Sequence, residues 1–186
     1  DVVVREIGAG LIALGVEPED RVAIASSTRY EWALADLAVM VAGGATTTIY
    51  PTTMADDVAF ILSDSGTKVV FAENAEQLEK LRAIRASTPA VTRVIVFDGA
   101  ADDSDAWTLT LDEVRQLGRE YLAGDPGAID ARIDGIQHDQ LATIIYTSGT
   151  TGRPKGVRLR HSAWTYEGAA VASTNILNED DLQYLW

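Results

Sequence analysis

The apolar positions of this chain change period repeatedly, and the changes outline its elements. Ile7, Leu11 and Leu14 recur at helical spacing, and Gly15 stands where a helix can end in a left-handed turn. Residues 21–26 then carry Val22, Ala23, Ile24 and Ala25 in succession, apolar on both faces, as in a strand covered from both sides. Thr28, with Glu31 three residues later, has the form of a capping box and predicts a helix running to Gly43. Residues 45–50 read as the next strand. A helix at 56–64, a strand at 68–72, a helix at 75–86 and a strand at 93–97 continue the series. Asn74 is placed to cap the helix at 75–86, with Gln77 answering it. Strands alternating with helices of this length imply crossover connections, a largely parallel β-sheet flanked by helices, and hence an α/β fold.

Downstream the punctuation changes. Residues 98–105 are rich in Asp, Gly and Ala and read as an exposed loop. A helix is expected at about 111–122, and Gly124-Asp125-Pro126-Gly127 marks a turn. Residues 133–140 lead into an apolar strand at 141–146. Val157, Arg158, Leu159 and Arg160 alternate with the period of a strand, and a last helix is expected at about 162–176. Residues 182–186 look like a strand just begun, and the absence of an initiator methionine makes Asp1 look like a cut. The expectation is a partial domain over 1–186, truncated at both ends, without internal repeats.

Composition narrows the class. With 47% apolar residues over 186 positions, the chain can bury one sizeable core. A net charge of −13 argues against nucleic acid as a partner, since phosphate backbones are bound by basic faces. Cysteine is absent, which excludes disulfides and thiolate metal sites and fits a reducing cytoplasm. The most apolar stretch, 32–49, is broken by Asp36 and by Gly43-Gly44, too short and interrupted for a membrane span. Against this acidic background Arg153, Lys155, Arg158 and Arg160 are the densest cationic cluster. Alternation suits Arg158 and Arg160 to the wet face of a strand.

Between the strands at 141–146 and 157–160 lies Thr147-Ser148-Gly149-Thr150-Thr151-Gly152-Arg153-Pro154-Lys155-Gly156. Hydroxyls on glycine-exposed backbone offer many donors to an anion, and a lysine adds a point charge suited to phosphate. On composition alone such a cluster is an ordinary solvated loop. It is not a Walker loop: Gly149 and Gly152 are too closely spaced, Lys155 is followed by Gly156, and Pro154 removes a backbone donor where a helix would open. The order is strand, loop, strand.

This string, ungapped from Thr147 to Val157, resembles the phosphate-binding signature of the adenylate-forming (AMP-binding) superfamily. Two stretches, Thr28-Arg29-Tyr30-Glu31-Trp32 and Ile49-Tyr50-Pro51-Thr52-Thr53, look more particularly like long-chain fatty acyl-CoA synthetases. The segment from Asn178 to Trp186 is similar to the one that leads, in those enzymes, into a motif lining the acyl tunnel. Each has a plain structural reading beside it: Glu31 as a cap, Tyr30 and Trp32 as packing residues, Tyr50-Pro51 as a strand end. His161 matches a family histidine, but Arg160 stands where threonine is usual, and His161 also suits the start of a helix.

The resemblance implies activation of a long-chain fatty acid by ATP to an acyl-adenylate, followed by transfer to CoA. By it, Ser148, Gly149, Thr150, Thr151, Gly152 and Lys155 would hold the phosphates, and Thr147 would be both a phosphate contact and a ligand to Mg²⁺. No catalytic residue is assigned, because the family's ribose-binding aspartate, acidic magnesium ligand and catalytic lysine would lie beyond Trp186. The chain alone is therefore expected to be inactive. The resemblance also implies a cytoplasmic enzyme able to associate peripherally with membranes. A fatty acyl-AMP ligase serving a carrier protein, another adenylate-forming ligase, and a non-catalytic nucleotide-binding module are the competing readings.

Overall fold

The computed structural model describes residues 2–101, 106–147, 153–176 and Asp181. Helix α1 (Val2–Ala13) leads to strand β1 (Arg21–Ala25), then α2 (Tyr30–Val41), β2 (Ala45–Ile49), α3 (Ala55–Ser65), β3 (Val69–Ala72) and α4 (Ala75–Ile84). A 3-10 turn at Arg85–Ser87 precedes β4 (Arg93–Val96), β5 (Thr108–Thr110), α5 (Leu111–Gly124) and α6 (Ala128–Gly135). Strands β6 (Leu141–Thr147) and β7 (Lys155–Arg160) and helix α7 (His161–Ser173) complete the described elements. The strands form one sheet in the order β5-β4-β3-β1-β2-β6-β7. Every neighbouring pair is parallel except β6 with β7. This is the α/β fold with a largely parallel sheet that the alternation implies.

The double-sided apolar runs explain the layering. Successive side chains of a strand face opposite ways, so Val22 and Ile24 join one core while Ala23 and Ala25 join the other. The first core lies under α1, α2 and α5, where Ile7, Leu11, Val39 and Val114 meet Phe71 and Ile95. The second lies under α3 and α4, where Val58, Leu62, Leu78 and Leu81 meet Val70, Val94 and Val96. Burying each large aliphatic or aromatic side chain contributes about 1.5–3 kcal/mol. The helices are therefore held by the sheet rather than by their own propensity.

Several local readings are revised. The helix expected from Thr28 begins at Tyr30, with Arg29 at the N-cap and no side-chain cap. Glu31 accepts from Arg29 Nε at 2.6 Å instead, in an ion pair where both partners are charged. A working capping box stands at Thr110, whose hydroxyl accepts from the Glu113 amide while the Glu113 carboxylate accepts from the Thr110 amide. Asn74 does cap α4, but the Gln77 side chain donates to the Pro51 carbonyl rather than closing a box. Tyr30 is exposed, not packed; Trp32 packs at the rim of the α1/α2 core.

Two elements are absent from the sequence-based expectation. Strand β5 has only three residues, and its place is fixed by buried Trp107, whose Nε1 donates to the Val91 carbonyl at 3.0 Å. Helix α6 comes after the Pro126-Gly127 turn and is pinned by fully buried Ile129. The segment from Asn178 to Trp186 lies outside the described residues apart from Asp181. Among the described residues no helix is long and apolar enough to cross a membrane.

Candidate functional site

Strand β6 rises out of the core along its own length. Leu141 to Ile144 are buried, Ile145 and Tyr146 half-buried, and Thr147 exposed. Its parallel pairing with β2 ends at Thr48 and Ile145, so Thr147 stands beyond the carboxyl edge of the sheet. That edge is where open α/β sheets receive ligands. Strand β7 returns antiparallel, placing Lys155 opposite Thr147 and Gly156 opposite Tyr146. Directly opposed residues carry their side chains on the same face, with Cβ atoms about 4.5–5.5 Å apart. A hydroxyl and an exposed ammonium thus share one mouth. Ser148, Gly149, Thr150, Thr151 and Gly152 lie outside the described residues.

The four clustered cations, Arg153, Lys155, Arg158 and Arg160, do not act together. Arg153 lies against α3, its guanidinium 5.3 Å from the centre of the Phe60 ring. Arg158 opposes Ile144 and therefore faces the other side of the sheet from Lys155, while Arg160 opposes Leu141 at the far end of β6. Both arginines are exposed, as alternation on a wet strand suggests. His161 opens α7 at that far end, the six residues of β7 away from Lys155, or about 17–20 Å. Burial lowers its pKa, the nearby Glu19 opposing this and His138 reinforcing it. Its position suits the start of a helix and not a phosphate contact.

Another opening of this edge is already filled. In the order β2-β1-β3 the chain reverses its direction of winding between β1 and β3, which makes a crevice at their carboxyl ends. Glu73, directly after β3, occupies it. Its Oε2 accepts from the Ser27 amide at 2.7 Å and from the Ser27 hydroxyl at 2.9 Å. The amide bond above all holds the carboxyl below its ordinary range. Nearby, Arg29 binds Asp98 through both terminal nitrogens and Glu31 through Nε, and these bonds hold both carboxyls low and raise the guanidinium further. A phosphate brought to this crevice would meet fixed negative charge. A cavity at the β2/β6 side, about 260 Å³, is lined by Ser27, Thr28, Trp32, Thr48, Tyr50 and Ile145.

Sequence reasoning misses Glu73, and it treats Tyr146 as an ordinary strand residue and Arg153 only as a charge. Tyr146 Oη donates to Asp64 Oδ2 of α3 at 2.6 Å, and burial first, then that carboxylate, raises the phenol's pKa. The available signal is local: an aromatic with a polar tip closing an otherwise aliphatic strand asks for a hydrogen-bond partner. Among the described residues no cluster of three or more His, Asp or Glu side chains could hold a metal ion.

The family described as AMP-binding enzyme matches residues 3–186. The Long-chain-fatty-acid--CoA ligase FadD15 of Mycobacterium tuberculosis is 38% identical over 164 residues, covering 88% of this chain and 26% of its own length. A second ligase of that organism, named for 3-[(3aS,4S,7aS)-7a-methyl-1,5-dioxo-octahydro-1H-inden-4-yl]propanoyl:CoA, is 36% identical over 180 residues, 93% of this chain and 33% of its own. The inhibitor-bound N-terminal domain of FACL13 from Mycobacterium tuberculosis superposes with a TM-score of 0.74 at 28% identity, over 97% of this chain and 41% of that one. The chain spans about a quarter of the length of the first of these relatives.

Proposed function

Because this chain belongs to the AMP-binding enzyme family, we propose that it supplies the phosphate-binding part of a ligase that activates a long-chain fatty acid with ATP. The carboxylate attacks the α-phosphorus, forming the acyl-adenylate and expelling pyrophosphate; the CoA thiol then attacks the acyl carbon, giving acyl-CoA and releasing AMP. The observation that carries this reading is the opposition of Thr147 and Lys155 at the carboxyl edge of β6, within the ungapped signature. Charge builds on the leaving pyrophosphate, and donors aimed there lower the barrier. Lys155 supplies a fixed positive charge. Ser148, Gly149, Thr150, Thr151 and Gly152 supply hydroxyl and amide donors from the same connection.

Magnesium, when bound, neutralises phosphate oxygens. The Thr147 hydroxyl is a hard oxygen donor of the type it accepts. With no acidic cluster among the described residues, most of its ligands would come from the nucleotide and from elsewhere in the protein. Residues 1–186 are proposed as part of the larger N-terminal domain. The site of action is the cytoplasm, with peripheral membrane association a property of the complete enzyme.

The test uses the natural gene product carrying this sequence, assayed with ATP, palmitate and CoA, beside residues 1–186 alone. The former is expected to form acyl-CoA. The latter is expected to bind ATP yet give no acyl-hydroxamate from ATP, palmitate and hydroxylamine; hydroxamate from the short chain would refute the division of labour. A second reading has its own support in the relative named for a fused-ring propanoate. Activity with ring-bearing propanoates and none with palmitate would favour it, and transfer to a carrier protein instead of CoA would favour an acyl-AMP ligase.

A further inference from the structure

Strand β7 is exposed along nearly its whole length, with Val157 46% accessible, and β6 leaves the core before it reaches Thr147. A two-stranded projection of this kind is marginal by itself. Yet both of its legs touch one helix. On the outgoing leg, Tyr146 donates to Asp64 at 2.6 Å. On the returning leg, the Arg153 guanidinium lies 5.3 Å from the Phe60 ring centre. Phe60 and Asp64 are four residues apart on α3, which places them one above the other on one face. The helix is itself immobilised by Val58, Ile61 and Leu62 in the core, and Phe60 and Tyr146 pack against the same core.

Gly156 supplies an independent observation. It opposes Tyr146 across the ladder, and a Cβ there would stand 3.0 Å from Ile144 Cγ2 and 3.1 Å from Tyr146 Cζ. The tyrosine ring lies across the space that the glycine leaves. A side chain at 156 would push the ring off its course to Asp64.

We propose that α3 is a clamp for the β6–β7 connection, in which Tyr146 and Arg153 are positioning residues held by Asp64 and Phe60, and Gly156 makes room for the tyrosine ring. Thr147 and Lys155 are each next to or near a clamped residue, so the clamp sets their distance from a bound polyphosphate. The functional half of this proposal rests on the phosphate-binding reading given above; the mechanical half does not.

The experiment uses the full chain and two readouts: amide exchange of the peptide covering 147–156, and the affinities of Mg-ATP and of inorganic pyrophosphate. Tyr146→Phe and Arg153→Lys are expected to speed exchange in that peptide by about three- to tenfold, as loss of one hydrogen bond or stacking contact allows. Exchange in β1 and β3 should not change. Affinity for both probes should fall by a similar factor. Arg153→Lys keeps the charge and loses the planar stacking, so weakening there distinguishes a clamp from simple attraction. Asp64→Ala combined with Tyr146→Phe should be no worse than either alone, and Gly156→Ala should behave like Tyr146→Phe. Lys155→Ala should weaken both probes about ten- to hundredfold without altering exchange.

Unchanged exchange in both Tyr146→Phe and Arg153→Lys would overturn the clamp. Faster exchange with unchanged affinity would overturn its role in positioning. Failure of the unaltered chain to bind either probe would instead overturn the phosphate reading, while the exchange data would still decide whether the clamp exists.

Discussion

Asp36 is the one carboxylate among the described residues whose burial clearly outweighs its partners. It sits half-buried in α2, and desolvation lifts its carboxyl above the ordinary range, tempered by Thr46. Thr46 Oγ1 forms no hydrogen bond of good geometry, so the compensation is weak. A raised carboxyl pKa means that the folded protein takes up a proton more readily than the unfolded chain. Its contribution is then most favourable in acid and is lost as pH rises through the folded-state pKa. Asp36→Asn stays uncharged throughout. The variant is expected to unfold at higher temperature than the parent at pH 7, with the difference shrinking toward pH 4; an equal change at both values would sink the assignment. The same scale explains why some of the site is legible in the sequence and some is not. Thr147 and Lys155 are singled out there by the family resemblance of the string that holds them, and their role toward phosphate is a proposal built on it. Glu73 is not, since its partner Ser27 is brought to it only by the pairing of β1 with β3.

At the scale of elements, the strands built from runs of apolar and β-branched residues declare themselves, and β1, β2, β3, β4 and β6 all lie where the pattern puts them. The elements that escape it are those whose stability is tertiary. Three-residue β5 has no period to read, and α6 is eight residues anchored chiefly by Ile129. The contact between α1 and α5 is of the same tertiary kind. A Cβ at Gly118 would stand 1.8 Å from the Glu6 carbonyl oxygen, and one at Gly10 would stand 2.2 Å from that of Val114. These obstacles are backbone atoms, so relief requires the helices to part, and with them the bonds from Arg115 and Arg119 to Glu6. Gly118→Ala is expected to cost about 3 kcal/mol, measured by urea unfolding. Gly124→Ala, with open space around it on the same helix, should lie within about 0.5 kcal/mol of the parent. Equal effects at 118 and 124 would mean that helix propensity, not close approach, decides.

Across the whole molecule, stability should fall from the centre of the sheet toward β7. Val22, Ile24 and Phe71 on β1 and β3 are fully enclosed, whereas β7 is open and α7 has no buried residue. What ties α7 down includes one bond from Trp164 Nε1 to the Thr143 hydroxyl at 3.1 Å. Regions with few buried apolar contacts open locally, well below the free energy of global unfolding. Amides of β1 and β3 are therefore expected to exchange only through global unfolding, and those of β7 and α7 through a local opening insensitive to low denaturant. A ligand bound between Thr147 and Lys155 would be lost in that opening. Mg-ATP at a hundredfold excess over its dissociation constant should then raise the local opening free energy of β7 by about 2.7 kcal/mol. Protection of β7 equal to that of β1 before any ligand is added would contradict the gradient. Protection that nucleotide leaves unchanged would place the ligand away from this edge. Protection that rises on β7 with nucleotide, while β1 stays as it was, is the outcome expected if the proposed phosphate site lies at this edge.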